Sequence, residues 1–293
     1  ALPRGWRAVD EAAARRIRGK CHYGFLLPST SCKAPQRGGG ASGGGAAGGG
    51  GTCTPGTCCR RPCKRLADYT IQLHQAGISI FDSPVGYTPP RGPSVEFTVA
   101  HNHREYGQPG IFTYSNLGQK WTHDWLSYVE DNPSNPAANI KAYLAGGGRE
   151  ELGGFNGSAY APDYLSHAVV RRVSSAPIRY ERELPEGSVE VFAQSDGAST
   201  SPRRVFLTEV RDPQGNAVQL SYDAQLRLVA ITDAIGQVTT LTYEMPSDPL
   251  KITKVTDPFG RSARFEYNDS GQLLRIVDVI GLTSSFEYGN GGY

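Results

Sequence analysis

In the last third of this 293-residue chain, four copies of Asp-x-x-Gly recur in phase, and a tyrosine stands seven residues after every glycine. The copies open at Asp212, Asp233, Asp257 and Asp278; their glycines are Gly215, Gly236, Gly260 and Gly281, and their tyrosines Tyr222, Tyr243, Tyr267 and Tyr288. The period is 21, 24 and 21 residues, the long step carrying three extra residues near Met245-Pro246-Ser247. A fixed period of this length marks one supersecondary unit used repeatedly, and it restricts the fold more than any other property of the chain. An aspartate opening a turn bonds the amides ahead of it, proline presets φ where present, and glycine takes the dihedral that other residues avoid. Five and seven residues after each glycine stand Leu220 and Tyr222, Leu241 and Tyr243, Phe265 and Tyr267, and Phe286 and Tyr288. A step of two puts each pair on one strand face. Five and two residues before each aspartate stand Leu207 and Val210, Leu228 and Ile231, Ile252 and Val255, and Leu273 and Ile276. Their odd separation predicts a bulge or a strand covered on both faces. Short turns such as Asn268-Asp269-Ser270-Gly271 join the two strands, so the predicted unit is a β-hairpin.

Upstream, Tyr69–His74 alternates, Gly77 interrupts, and Ile78–Phe81 resumes; Val95–Val99 and Ser188–Phe192 alternate as well. Pro185-Glu186-Gly187 reads as a hairpin turn after Arg182-Glu183-Leu184. No long amphipathic helix is visible after residue 68, and the 36 glycines and 20 prolines punctuate many short strands. An all-β body is expected, divided into a β-rich region at 68–200 that leads into the repeats and the repeats themselves at 201–293.

Residues 1–67 differ in kind. They hold 12 Lys or Arg against Asp10 and Glu11, a net of +10, while the remainder has 18 basic and 26 acidic residues, or −8. Residues 4–20 read as a short basic helix, and residues 38–51 are almost wholly Gly and Ala. All six cysteines lie here: Cys21, Cys32, Cys53, Cys58, Cys59 and Cys63. An even count confined to one segment favours a local disulfide framework formed in an oxidising compartment; zinc is the competing interpretation, but no C-x2-C pair occurs. No nucleic-acid motif accompanies the basic charge, which is expected to dock on the acidic body of the same or a neighbouring chain. No apolar run of about 18 residues predicts a membrane-spanning helix.

Candidate chemistry is sparse. His101-x-His103 puts two imidazoles on one strand face, a spacing open to a metal, yet clear further ligands are lacking and exposed histidines are preferred. Gly40-Ala41-Ser42-Gly43-Gly44 matches a nucleophile elbow in letters only, because the glycine tract supplies neither the strand before it nor the helix after it. Cys58-Cys59 with His74 suggests thiol chemistry less well than bridges. No nucleophile, base and orienting group converge, so no enzyme, metal or cofactor is expected. Tyrosines with Trp6, Trp121 and Trp125 offer sugar-stacking surfaces, but tyrosines in register are more simply a structural ladder.

The repeat resembles the RHS/YD-repeat family, whose hallmark is a Gly-then-Tyr-Asp strand followed by a Leu-x-x-Ile-x-Asp strand. Tyr222-Asp223 is the literal dipeptide; Tyr243-Glu244, Tyr267-Asn268 and Tyr288-Gly289 depart from it. The stretch Leu117–Trp125 is similar to the Gly- and Trp-containing region that often precedes such repeats. The resemblance covers about residues 68–293 and implies a long curved antiparallel sheet built of hairpins, spiralling into a shell around a toxin or other payload, or standing on cell surfaces as in teneurins. It implies a secreted or surface-exposed scaffold that is not an enzyme. Two alternatives stand beside it: an extracellular fibre in which the N-terminal segment docks on the next subunit's open sheet edge, and a glycan-binding adhesin. The final strand edge is expected to be covered by further residues of its own chain or by another copy.

Overall fold

The computed structural model describes residues 67–72 and 77–289. The predicted basic helix, the glycine tract, Trp6, all six cysteines and His74 lie outside the described residues. The described residues form eighteen strands and no helix: β1 Asp68–Gln72, β2 Gly77–Tyr87, β3 Val95–Asn102, β4 Trp121–His123, β5 Tyr128–Asp131, β6 Ile140–Tyr143, β7 Arg149–Leu152, β8 Val169–Ser175, β9 Ile178–Glu183, β10 Val189–Ser195, β11 Arg203–Arg211, β12 Ala217–Tyr222, β13 Leu228–Thr232, β14 Val238–Thr242, β15 Lys254–Thr256, β16 Ser262–Tyr267, β17 Leu273–Val277 and β18 Thr283–Ser285. The alternating segments read from the sequence fall on β1, β2, β3 and β10, and the Pro185-Glu186-Gly187 turn joins β9 to β10.

Strands β1 to β4 make a small antiparallel sheet in chain order, and the other fourteen make one large antiparallel sheet. From β8 to β18 the large sheet also runs in chain order. It forks at β11. On the edge away from β10, Arg203–Phe206 pair with β5 while Glu209–Arg211 pair with β12. The branch β5–β6–β7 leaves there.

The sheet curls strongly. Arg182 on β9 meets Glu150 on β7 at 2.8 Å, although five ladder steps separate those strands. On a flat sheet, steps of about 4.8 Å would hold them roughly 24 Å apart. The sheet stays open, since β7 and β18 are not ladder neighbours. Its inner face and the small sheet enclose one continuous apolar core, with Val99, Val129, Phe192, Leu207, Ile231, Val255, Phe265 and Ile276 all buried. Phe97 of β3 and Phe265 of β16 approach to 5.9 Å between ring centres, which places the small sheet over the repeats.

Candidate functional site

The repeat is the element with a site-like regularity. Each aspartate's Oδ1 accepts two amides, two and four residues ahead: Gln214 and Asn216 for Asp212, Ile235 and Gln237 for Asp233, Phe259 and Arg261 for Asp257, Ile280 and Leu282 for Asp278. Each glycine amide bonds back to the aspartate carbonyl, and each glycine lies at φ between 77 and 87°. That is a tight turn closed by a glycine bulge, the geometry that joins twisted strands in three-residue hairpins. The opposite ends of the hairpins reuse it. Asp223, second residue of the Tyr-Asp dipeptide, accepts the amides of Gln225 and Arg227, with Leu226 in the left-handed region at φ 58°. Asn268 does the same job for Ser270 and Gln272. Tyr-Asn therefore preserves the turn that Tyr-Asp makes, whereas after Tyr243-Glu244 the longer loop turns at Asp248 instead.

The odd spacing before three of the four aspartates coincides with a bulge. Register slips by one residue beside Leu207, Leu228 and Leu273, so both members of each apolar pair face the core. A bulge leaves backbone groups without ladder partners, and here the tyrosines supply them. Tyr222 Oη donates to the Leu207 carbonyl at 2.7 Å, Tyr243 to Leu228 at 2.8 Å, and Tyr267 to Ile252 at 2.6 Å, always fifteen residues back. Burial pushes the Tyr222 and Tyr243 phenols well above the ordinary tyrosine range, so both remain donors at any physiological pH. Tyr288 falls beyond β18.

Two lead-in segments run across the hairpin ends. Residues 82–92 cross the Asp-x-x-Gly turns from the fourth copy to the first: Ser284 Oγ donates to Asp82, Val279 N to the Pro84 carbonyl, Arg261 to the Gly86 carbonyl, Tyr87 Oη to Asp233, and Arg91 to Asn216. Residues 115–118 cross the other row of turns, from first copy to last. Ser115 Oγ accepts the Leu228 amide, the Asn116 carbonyl accepts the Ile252 amide, and Gly118 lies so close that a Cβ would stand 3.0 Å from the Gly271 carbonyl. Lys251 is 5% exposed and donates to Asn116 Oδ1 at 2.6 Å, with Asp248 at 3.2 Å. Apart from Leu117 and Gly118, which open the stretch that resembles a repeat lead-in, these crossing residues were not singled out in the sequence, because they lie more than a hundred positions from the turns they hold.

The two histidines do not share a strand face, and only His103 is exposed as expected. Strand β3 ends at Asn102, so His103 sits exposed in the following turn while His101 is buried beside Trp121 at 5.0 Å between ring centres. His123 is buried under Phe97, with Nδ1 accepting the Trp125 amide. Burial lowers His101 to about 4 and His123 to about 3, so both are neutral. Among the described residues no three His, Cys, Asp or Glu side chains group as metal ligands. Trp121 and Trp125 are buried too, at 2 and 6% exposure, and present no face for a sugar to stack on.

The RHS Repeat family model matches residues 206–234, which run from β11 through the first turn, Tyr222-Asp223 and the second turn. No curated protein matches the chain. Match and geometry agree on the same unit, and the match supports assigning the repeat at residues 206–234 to the RHS/YD-repeat family.

Proposed function

We propose that the chain acts as a structural wall, a segment of an exported RHS/YD scaffold that encloses or displays something else, and not as a catalyst. The observation that carries this is the employment of the repeat's polar side chains. The aspartates close turns, and three tyrosine hydroxyls each complete a backbone carbonyl. The residues that define the unit hold the sheet together and leave no reactive group facing a common space. Strong curling of the sheet is what a wall around an interior requires. Export accords with the surface or secreted setting typical of RHS-repeat proteins; among the described residues no helix is long and apolar enough to cross a membrane.

Electron microscopy and native mass spectrometry of the intact protein carrying this segment test the proposal. A particle with a low-density interior and a stoichiometry matching a closed wall is expected; a solid particle or an open filament overturns it. Glycan binding that disappears on substitution of exposed tyrosines such as Tyr164 would move the assignment to an adhesin.

A further inference from the structure

Where residues 115–118 cross the hairpin ends, a buried amine meets a buried amide. Asn116 and Lys251 form an isolated parallel bridge: the Asn116 amide donates to the Leu250 carbonyl at 2.9 Å, and the Ile252 amide donates to the Asn116 carbonyl at 3.1 Å. Backbone bonds on either side of Lys251 thus fix where its side chain starts relative to Asn116. The two residues are 5 and 1% exposed, and Lys251 Nζ lies 2.6 Å from Asn116 Oδ1. A nitrogen in hydrogen-bond contact with a carbonyl oxygen stands roughly 3–3.5 Å from the carbonyl carbon, the separation from which a nucleophile attacks.

The surroundings suit that attack. The Gly118 amide donates to the same Oδ1 at 3.0 Å, so charge developing on that oxygen already has a donor. Asn116 Nδ2, the nitrogen that must leave, donates to the Tyr114 carbonyl at 3.1 Å, which holds the side-chain amide in one orientation. Asp248 Oδ2 lies 3.2 Å from Lys251 Nζ, placed to take its proton, and the Asp248 side chain is 36% exposed, which opens a way to solvent. The Phe112 and Tyr267 rings flank the amine at 5.7 and 5.9 Å. Burial pulls the Lys251 amine below the ordinary lysine range, with Asp248 opposing, and a desolvated amine is a better nucleophile.

We propose that Lys251 and Asn116 become joined by an isopeptide bond, a covalent strap between the lead-in at 115–118 and the loop that joins β14 to β15. Asp248 takes a proton from the ammonium, and the freed lone pair of Nζ attacks Asn116 Cγ while the carbonyl electrons move onto Oδ1. Nζ gives up a second proton as its bond to carbon forms, and Nδ2 gains one. The Cγ–Nδ2 bond then breaks, its electron pair leaves on nitrogen as ammonia, and the carbonyl re-forms. Ammonia carries off the remaining proton as ammonium. An amide replaces an amide and nothing is oxidised or reduced. The strap does not depend on what the wall encloses.

Intact-mass measurement of the denatured full chain, followed by digestion and tandem mass spectrometry, tests the bond. The expected result is a deficit of one ammonia, about 17 Da, with Lys251 and Asn116 in one branched fragment and no tryptic cleavage after Lys251. Lys251→Met should restore the full mass. Asp248→Asn keeps the oxygen that accepts the Leu250 amide but removes the base, and should also lose the deficit. A full mass in the unsubstituted chain overturns the proposal, as does a deficit that fragments map elsewhere, such as an imide at Asn156-Gly157. An undiminished deficit in Lys251→Met overturns it too, and in Asp248→Asn it overturns the assignment of the base. The unsubstituted chain decides by itself, so a variant that fails to fold shields nothing.

Discussion

The repeats from β11 to β18 and the two arms that leave β11, the branch β5–β7 and the strands β8–β10, belong to one sheet but are held by different physics. In the repeats, the four Asp-x-x-Gly turns and the turns at Asp223 and Asn268 are closed by a carboxylate or amide side chain bonding amides two and four residues away, and three backbone carbonyls by a tyrosine fifteen residues on. In the arms, the fastenings are buried charges from distant positions. Arg182 is 5% exposed and binds Glu150 at 2.8 Å and Glu190 at 3.0 Å. Asp131 takes the Tyr180 hydroxyl at 2.7 Å and the Arg203 guanidinium across two bonds. Local closure can be copied from unit to unit, because each copy carries its own donor and acceptor. Buried ion pairs instead select one mutual placement of two strand groups, since a charge left alone in the core is costly.

The sharpest way to break this contrast is Arg182→Met, which strands two acids in the arms. Chemical denaturation should show a loss of about 3–5 kcal/mol, and hydrogen exchange should place the added opening in β7, β9 and β10 more than in β12 to β17. Equal loosening of the repeats would mean that both regions share one mechanism. Acid titration comes next. His101 and His123 have folded values lowered to about 4 and about 3, below the unfolded imidazole, so the unfolded chain binds the extra protons. Their contribution is whole above about pH 6.5 and fades as pH falls toward 4. The urea midpoint should drop over that interval, and Gln at position 101 should make the drop shallower; a midpoint rising steadily into acid would refute the assignment.

Tyr243→Phe tests the repeats themselves. It leaves the buried Leu228 carbonyl without its donor, and an expected loss of about 1–3 kcal/mol should appear by thermal or urea melting. A neutral change would return the tyrosines to surface roles. Smallest is Gly260→Ala, at φ 77° with open space where the methyl would go. A cost of about 1 kcal/mol is expected from the left-handed backbone alone, and a stabilising result would show that the turn relaxes to another form.

Much of the repeat was legible because its physics is short-range. The spacing of Asp212, Gly215 and Tyr222 specified the turn and the shared strand face, and the odd step from Leu228 to Ile231 pointed to a bulge. The destination of each tyrosine hydroxyl was not legible, since a two-residue period states which face a side chain occupies and not which carbonyl lies beneath it. His101 and His103 misled for a boundary reason. Alternation was extended one residue past the end of β3, and the turn there sends the two rings to different environments.

The amino-acid order alone determined that this chain makes β-hairpins of fixed pitch, because turn and strand preferences act over a few bonds. Tertiary structure decided the rest: that β11 forks, that the sheet curls until Arg182 reaches Glu150, and that residues 82–92 and 115–118 fasten opposite rows of turns. Those outcomes depend on groups from 32 residues apart, for Arg182 and Glu150, to 175 apart, for Arg261 and Gly86, becoming neighbours, and no local pattern records which of many buried donors will meet which acceptor.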